Sequence, residues 1–209
     1  MKESDIDFIF QSLEKIYPNA DTELKYNTDF QLLIAVIMSA QSTDKQVNKI
    51  TDKLFQTVKD PQDVINMWLE NFTLAISSVN YYKNKAKYIF ETSKILKNNP
   101  ELLCSDLDKL QQLPWVGVKT AKVIAYVLFW SKVIAVDTHV HRVANRLWLV
   151  NTEQPIKTSE ELENIIPNQY KWIAHHTLIL FGRYLCMARN PKCDICPFVS
   201  LCKYKKIYK

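Results

Sequence analysis

The chain has 209 residues, of which 47% are apolar and 23% charged, and this balance is ordinary for a globular protein of one large or two small domains. The formal net charge of +5 and the pI near 8.8 suit a polyanionic partner, although many soluble proteins are equally basic. The N-terminus lacks the basic and then apolar order of a signal peptide, and the longest apolar run, residues 123–130, is too short to span a bilayer. We therefore expect a soluble, intracellular protein, cytoplasmic and nucleoid-associated, with no membrane partner.

Apolar residues recur at helical spacing through the first part of the chain. Residues 5–17 predict one amphipathic helix, and the run that starts at Asp29 predicts a buried helix. Residues 39–44 form a polar turn after it. Residues 45–58 predict a third helix, which is broken by Asp60 and Pro61.

Three further helical segments follow before residue 100. One starts at Gln62, one lies near Leu74, and the third covers residues 81–97 and is long and basic. No run of alternating apolar and polar residues indicates a strand anywhere in the chain. The sequence therefore predicts an all-α fold.

A short helix, a tight hairpin and a second helix are predicted next. Ser105 and Asp108 fit a capping box at the start of the short helix. The hairpin is predicted at residues 114–118, where Gly117 would supply the permissive backbone, and the second helix begins near Lys119. The peptide N–H groups at such a helix start can bind a phosphate.

Two residues in this region are candidates for chemistry. Lys119 lies in the first turn of the second helix, where the positive end of the helix dipole and partial burial both favour a neutral amine. A neutral lysine amine is a nucleophile that can form a Schiff base, although a phosphate-binding or solvated lysine is the simpler interpretation of the motif alone. Asp137 follows the apolar residues 133–136 and fits a helix N-cap, which is a common role for aspartate.

Four of the five cysteines lie close together near the C-terminus. Cys186, Cys193, Cys196 and Cys202 have the spacing C-x6-C-x2-C-x5-C, whereas Cys104 lies far from them. A disulfide framework is not expected in an intracellular protein of this size. Four thiolates can hold zinc or a [4Fe–4S] cluster, and the spacing leaves both possibilities open. Either would order the C-terminal loop, because metal binding couples to folding.

These motifs together resemble the endonuclease III family of helix–hairpin–helix DNA glycosylases. The resemblance rests on LPWVGVKTA at residues 113–121, VDTH at 136–139 and the cysteine loop. Further matches are SAQSTD at 39–44, NKA at 84–86, Arg142, the pair His175 and His176, and GRY at 182–184. They run in the family's order through nearly the whole chain, so the resemblance is far more specific than any single motif.

The resemblance implies two helical domains that flank a DNA-binding groove. Residues 22–131 would form a six-helix, barrel-like domain that contains the helix–hairpin–helix. Residues 1–21 and 132–209 would form an iron–sulfur domain, in which the four clustered cysteines hold a [4Fe–4S] cluster. The basic residues of that loop are either a phosphate contact or a solvated tail; they are Arg183, Arg189, Lys192, Lys203, Lys205, Lys206 and Lys209.

The resemblance also implies a bifunctional DNA glycosylase and AP lyase of base excision repair. Lys119 would be the nucleophile that attacks the sugar C1′, expels the base and leaves a Schiff base, after which β-elimination nicks the strand on the 3′ side. Asp137 would be the catalytic carboxylate. The implied substrates are oxidised or ring-saturated pyrimidines and abasic sites in damaged double-stranded DNA, and we expect a monomer.

The same resemblance points to residues that contact DNA. Gln41 matches a glutamine that fills the space left by a flipped nucleotide, where it recovers part of the lost stacking. Tyr81 is placed like a wedge residue, although a core or surface ring explains it equally well, and Gln41 alone would be interpreted as capping or solvating a helix end. The other predicted DNA contacts are Trp115, Gly117, Val118, Thr120 and Lys192.

Three alternatives stay open at this point. An adenine-type mismatch glycosylase of the same superfamily is the nearest, but those relatives usually lack a lysine at the position of Lys119. A non-catalytic iron–sulfur DNA-binding protein that keeps the fold is the second, and a zinc-ribbon binding module is the third. His175 and His176 could bind a metal, but their apolar neighbours Ile173 and Leu178 predict that they pack and hydrogen-bond within a helix.

The sequence departs from the family pattern where glycine is expected. The family hairpin reads LPGVG, whereas Trp115 stands at the first glycine here, and Val118 replaces an arginine that is common before the lysine. Trp130 and Trp148 also stand where glycine is usual. The chain has two glycines, whereas the average usage of roughly 7% would give about fourteen. One hypothesis is that a stop-type codon, read as glycine in the source, was translated as tryptophan.

Overall fold

The structure is a computed structural model that describes residues 2–204, so Lys205, Lys206 and Lys209 of the predicted basic loop lie outside the described residues. Eleven α-helices are present in the described part: α1 Glu3–Ile16, α2 Asp29–Ser39, α3 Asp44–Leu54, α4 Pro61–Asn66, α5 Trp68–Ala75, α6 Tyr82–Asn98, α7 Leu107–Leu110, α8 Val118–Phe129, α9 Thr138–Arg146, α10 Pro155–Ile165 and α11 Lys171–Tyr184. No strand occurs between residues 2 and 204, which confirms the predicted all-α fold. None of these described helices is long and apolar enough to cross a membrane.

The chain divides into two compact units. One comprises residues 22–131 and contains α2 to α8, of which α7 is a single turn of four residues. The other comprises residues 1–21 and 132–209 and contains α1, α9, α10 and α11. The domain names that the resemblance attaches to these two stretches stay predictions.

Helix α2 is the centre of the unit 22–131. Every residue from Phe30 to Met38 is buried, so this helix has no polar face toward solvent. Helices α3, α6 and α8 pack against it. The buried Gln31 amide donates hydrogen bonds to the carbonyls of Phe55 and Val58, which satisfies its polar group inside the core.

The short helix α7 begins one residue later than predicted. Its N-cap is Asp106, whose Oδ1 accepts hydrogen bonds from the N–H groups of Asp108 and Lys109 at 2.9 and 3.2 Å. The predicted capping box at Ser105 is therefore wrong. Because α7 starts at Leu107, the side chain that reaches the second and third N–H groups is that of residue 106.

In the other unit, α11 packs against α1 and α9. Gly182 allows the close approach of α9, because a Cβ at this position would lie 2.9 Å from the Cβ of His139 and 3.2 Å from its carbonyl oxygen. His175 and His176 are buried on α11, as expected, and Nδ1 of His175 lies 2.8 Å from the carbonyl oxygen of Ala135. Helix α11 thus fixes both α9 and the segment that leads into it.

Candidate functional site

The hairpin before α8 turns at Trp115 and not at Gly117. Trp115 has a φ of 67°, in the left-handed region that favours glycine. Gly117 has φ −82° and ψ 176°, which is extended backbone that any residue adopts, and a Cβ on it would meet no atom within 4 Å. The prediction that Gly117 supplies the permissive backbone is wrong, because the reversal occurs two residues earlier.

The start of α8 carries Lys119. Gly117 is the N-cap and makes no side-chain cap hydrogen bond, so the first N–H groups of α8 stay open to an anion. Lys119 is the second residue of the helix and is exposed. The expected partial burial of its amine is therefore wrong, whereas its place beside the positive end of the helix dipole is as predicted. Val118 is exposed and Thr120 is half-buried in the same turn.

The hairpin is held against α6. The Trp115 ring stacks on the ring of Tyr88, with centroids 4.8 Å apart and planes 15° from parallel. The Thr92 hydroxyl donates a hydrogen bond of 3.4 Å to the carbonyl of Pro114. Both partners lie on α6, so this helix sets the position of the hairpin relative to the rest of its unit.

The structure brings the loops of Gln41 and Tyr81 together. The side-chain amide of Asn80 donates a hydrogen bond of 2.5 Å to the carbonyl of Gln41, and the Asn80 N–H donates to the Ser42 hydroxyl at 3.2 Å. Gln41 and Tyr81 are exposed and have left-handed φ values of 57° and 58°. Strained backbone at exposed positions is typical of functional loops. The roles of both residues in DNA binding stay predictions.

A buried lysine lies beneath these loops. Lys85 on α6 is 2% exposed, and its Nζ donates hydrogen bonds to the carbonyls of Met38 and Ala40 at 2.8 and 2.6 Å. Burial lowers the pKa of its amine. No role for Lys85 was predicted from the sequence. The sequence could have indicated one, because this lysine shares the apolar face of α6 with Ala86 and Ile89. A lysine on a buried face requires buried hydrogen-bond partners.

Asp137 is the N-cap of α9, as predicted. Its Oδ1 accepts hydrogen bonds from the N–H groups of His139 and Val140, both at 2.8 Å. Its Oδ2 lies 2.9 Å from Nδ1 of His139. The carboxylate is half-buried, with 18% of its side chain exposed, and these bonds fix its orientation. Whether Asp137 takes part in catalysis stays a prediction.

The four clustered cysteines line one cavity in the C-terminal loop and are free thiols. Burial raises the pKa of the Cys186 and Cys196 thiols, whereas a hydrogen bond from Arg146 to Sγ of Cys186 at 3.4 Å opposes the rise at Cys186. A group that bonds thiolates would offset this cost of burial. Within residues 2–204, no three His, Cys, Asp or Glu side chains are close enough to hold a single metal ion. Four thiols that line one cavity are a donor set that could hold a [4Fe–4S] cluster.

Two arginines of α9 hold the cysteine loop. Arg142 donates hydrogen bonds to the carbonyls of Cys186 and Gly182 at 3.0 and 2.7 Å. Arg146 donates to the carbonyls of Met187 and Ala188 at 2.8 and 3.2 Å. The role of Arg146 was not predicted, although this residue lies one helical turn after Arg142 and therefore on the same face.

The rest of the loop packs onto the core of its unit. Phe198 is completely buried and contacts the rings of Phe8 and Phe181. Lys192 is exposed on the loop surface, where a predicted phosphate contact would need it. Lys203 donates a hydrogen bond to Asn151 at 3.1 Å. Cys104 lies in the other unit, apart from the four cysteines.

The fold and these sites define a class of DNA repair protein. The family model of the HhH-GPD superfamily base excision DNA repair proteins matches residues 34–168, which is more than half of the chain. The family model of the iron–sulfur binding domain of endonuclease III matches residues 186–202, which include all four clustered cysteines.

Relatives that match over nearly the whole chain show which family within this superfamily the chain belongs to. The chain is 45% identical to endonuclease III of Rickettsia conorii over 94% of each chain. It is 42% identical to endonuclease III of Haemophilus influenzae over 95% of this chain and 94% of the relative. A solved structure of a trapped endonuclease III–DNA covalent intermediate matches with a TM-score of 0.92 and 38% identity, over 100% of this chain and 99% of that one. The chain belongs to the endonuclease III family, and its cofactor is a [4Fe–4S] cluster rather than zinc.

Proposed function

We propose that this DNA glycosylase and AP lyase of base excision repair uses Lys119 as its nucleophile. The observation that carries the proposal is the position of Lys119, exposed in the first turn of α8 directly after the hairpin. The endonuclease III that this chain resembles was trapped as a covalent intermediate with DNA, so that relative forms a bond to its substrate. A lysine amine is the side chain suited to such a bond with a sugar aldehyde carbon.

With Lys119 as the nucleophile, the reaction proceeds through a covalent bond between the protein and the sugar. The amine nitrogen bonds to C1′ of the damaged nucleotide as the bond from C1′ to the base breaks, and the base leaves with the electron pair and takes up a proton. Opening of the C1′–O4′ bond gives a protonated Schiff base. Loss of a proton from C2′ then expels the 3′ phosphate and nicks the strand, and hydrolysis of the Schiff base frees Lys119.

Asp137 is the carboxylate of this reaction. Its negative charge stabilises the positive charge that develops on the sugar as the base leaves, and it assists the proton transfers. Its three hydrogen-bond partners at the start of α9 hold it in one orientation, so little reorganisation is needed during the reaction.

Duplex DNA that carries an oxidised or ring-saturated pyrimidine is the substrate, and the protein acts on it as an intracellular monomer. The net charge of +5 favours the phosphate backbone. The open N–H groups of α8 suit one phosphate, and the adjoining loops of Gln41 and Tyr81 are suited to fill the gap that a flipped nucleotide leaves.

Cys186, Cys193, Cys196 and Cys202 hold the [4Fe–4S] cluster. When bound, the cluster crosslinks a loop that otherwise rests on Phe198 and on hydrogen bonds from α9. Arg142 and Arg146 compensate the negative charge of the thiolates. The ordered loop presents Lys192 toward solvent, where it can bind a phosphate.

Borohydride trapping tests the role of Lys119. The wild-type protein, incubated with duplex DNA that contains one abasic site, should give a covalent crosslink when borohydride reduces the Schiff base. Lys119→Ala should give none, whereas Lys109→Ala, which removes an exposed lysine before the hairpin, should crosslink like the wild type. Equal crosslinking by Lys119→Ala would show that another amine is the nucleophile.

A further inference from the structure

Most tryptophans of this chain have a left-handed backbone conformation, which glycine usually adopts. Four of the five, Trp68, Trp115, Trp130 and Trp148, have φ values of 60°, 67°, 54° and 58°, whereas neither glycine has a positive φ. A positive φ is uncommon outside glycine, asparagine and aspartate, and for a bulky residue it is an outlier. Among residues 2–204 only three others share it, and they are Gln41, Tyr81 and Asn190.

Each of the four positions lies in a hairpin or at the end of a helix. Trp68 lies at the break between α4 and α5, and Trp115 lies in the hairpin. Trp130 directly follows α8, where the Ser131 N–H bonds the Ala125 carbonyl in a pattern that a left-handed glycine usually completes. Trp148 lies two residues after the last residue of α9, where the Leu149 N–H bonds the Ala144 carbonyl.

Two of the four side chains make a ring contact, Trp115 with Tyr88 and Trp148 with the Lys203 ammonium, but neither contact requires a left-handed backbone. Trp68 and Trp130 are 70% and 80% exposed, and Trp115 and Trp148 are 51% and 46% exposed. Tryptophan is a large apolar residue that is normally well buried. Trp172, the fifth, is also 55% exposed, and it differs from the other four in its backbone, which is helical within α11.

We propose that residues 68, 115, 130 and 148 are glycine in the protein that the source organism makes. One codon, read as tryptophan in the present sequence, is read there as glycine, and Trp172 is encoded by a different codon. The proposal accounts for the two glycines in 209 residues and for the backbone at all four positions. It also gives the hairpin the sequence LPGVG, with no side chain at its turn.

The gene and the native protein test the proposal directly. The codon should be the same at positions 68, 115, 130 and 148 and different at position 172. Peptide mass spectrometry of protein purified from the source organism should show glycine at those four positions and tryptophan only at Trp172. Tryptophan at any of the four positions in the native protein would overturn the proposal.

Variants of the present chain give a second measurement. Each of Trp68→Gly, Trp115→Gly, Trp130→Gly and Trp148→Gly should raise the melting temperature, by about 2–4 °C, because a side chain at a left-handed position is strained. Trp172→Gly is the matched control and should lower it, because glycine weakens a helix. A lower melting temperature in all five variants would contradict the proposal.

A second inference concerns Lys85. It uses other observations than the first one, and it rests on the proposed function. The Nζ of Lys85 donates to the carbonyl of Ala40 and, at 3.4 Å, to the hydroxyl of Ser42, which are the residues on either side of Gln41. The Ser42 hydroxyl also accepts the N–H of Asn80, the residue before Tyr81, so the Lys85 side chain ties both exposed, left-handed loop residues to α6. The Nζ also bonds the Met38 carbonyl at the end of α2, where a cation is favoured by the helix dipole.

We infer that Lys85 is a positioning residue for the pair Gln41 and Tyr81. A buried ammonium that bonds two carbonyls costs desolvation free energy, and the same length of chain with an apolar end would fill the space. The charge fixes the direction of the carbonyl before Gln41, and Asn80 fixes the next one. Both loop residues are then oriented before DNA binds, which reduces the entropy lost on binding.

The test compares Lys85→Met with Lys87→Met, an exposed lysine on the same helix. The measured quantity is the ratio of the dissociation constants for undamaged duplex and for duplex with a tetrahydrofuran abasic analogue. Lys85→Met should lower this preference about tenfold, equivalent to 1.4 kcal/mol, and Lys87→Met should leave it unchanged. Borohydride trapping on a single-stranded abasic oligonucleotide, which needs no gap filling, should stay at the wild-type level in both.

Asn80→Ala keeps the inference testable if Lys85→Met does not fold, since Asn80 is exposed. This variant should also lower the preference for the abasic analogue. An unchanged preference in the folded variants would refute the role of Lys85. Failure of the wild-type protein to crosslink to abasic DNA would instead refute the proposed function, so the two failures are distinguishable.

Discussion

Asp137 and His139 are joined by two separate hydrogen bonds. Oδ1 of Asp137 accepts the backbone N–H of His139 at 2.8 Å, and Oδ2 lies 2.9 Å from Nδ1 of its ring. One carboxylate therefore serves as the N-cap of α9 and as the partner of an imidazole. Because asparagine caps a helix as well as aspartate does, the charge and the cap can be removed separately.

Asp137→Asn should abolish most of the activity while keeping the fold. We expect a loss of at least about 100-fold in the rate of base removal, since loss of one stabilising group in an active site has this magnitude. The free energy of unfolding should change little. Asp137→Ala should lose the same activity and be less stable by about 1 kcal/mol, measured by urea unfolding, because the cap is lost as well. Equal activity in Asp137→Asn and the wild type would exclude a catalytic charge.

The two glycines should respond differently to alanine. Gly182→Ala places a Cβ 2.9 Å from the Cβ of His139, so we expect a loss of about 1–3 kcal/mol in the free energy of unfolding. Gly117→Ala meets no atom within 4 Å and keeps an extended backbone, so its loss should stay below about 1 kcal/mol. Urea unfolding of both variants measures the difference. A Gly117→Ala variant that is less stable than Gly182→Ala would contradict the close approach of α9 and α11.

Most of the helices could be predicted from local patterns in the sequence. The apolar period predicts the helices, and Asp137 was recognised as a cap because its partners lie two and three residues away. The same approach failed at the hairpin, where Gly117 marked the turn by its residue type, while the backbone reverses at Trp115. A residue type indicates a conformation only where the sequence follows the usual pairing of glycine with a positive φ.

The parts of the site that were missed depend on distant partners. Lys85 bonds carbonyls that lie 47 and 45 residues earlier in the chain, and Arg146 reaches carbonyls about 40 residues later. No spacing rule connects such residues. The resemblance supplied Lys119 and Gln41 as site residues, but it could not show that Asn80 joins the Gln41 loop to its neighbour.

Removal of one clustered cysteine should remove the cluster. Cys202→Ser should lose the visible iron–sulfur absorption and make the loop sensitive to protease, because the loop depends on the cluster for order. Cys104→Ser, which changes the cysteine in the other unit, should keep both the colour and the resistance to protease. Iron content and limited proteolysis measure the two effects. A fully coloured Cys202→Ser protein would exclude Cys202 as a ligand.

Arg146 should control how long the cluster persists. Its guanidinium bonds Sγ of Cys186 and two loop carbonyls, and it lies 3.9 Å from the ring centre of Tyr204. Lysine cannot make this fork of bonds, so Arg146→Lys should bleach about tenfold faster on warming in air. Arg189→Lys, on the exposed part of the same loop, should bleach at the wild-type rate. Identical rates in the two variants would show that the fork is unimportant.

His176 should make stability depend on pH. Burial lowers its pKa from 6.5 to about 4, although Asp21 opposes the shift. Between these values the unfolded chain binds a proton that the folded protein does not bind, so stability is complete above pH 6.5 and falls as the pH decreases. From pH 6.5 to pH 5 the loss should be about 1.5 kcal/mol. His176→Asn should show a smaller slope in urea unfolding over this range, and an unchanged slope would assign it to other groups.

The capping role of Asp137 makes this residue useful to the fold even without catalysis. A lineage that had lost enzymatic activity would still keep aspartate or asparagine at this position, because purifying selection for a folded α9 alone would preserve a capping side chain. The exposed Lys119 is under no such demand, since arginine, glutamine or glutamate would serve equally well in the first turn of α8. If a relative lost its activity and kept only DNA binding, the lysine would therefore be substituted before the aspartate.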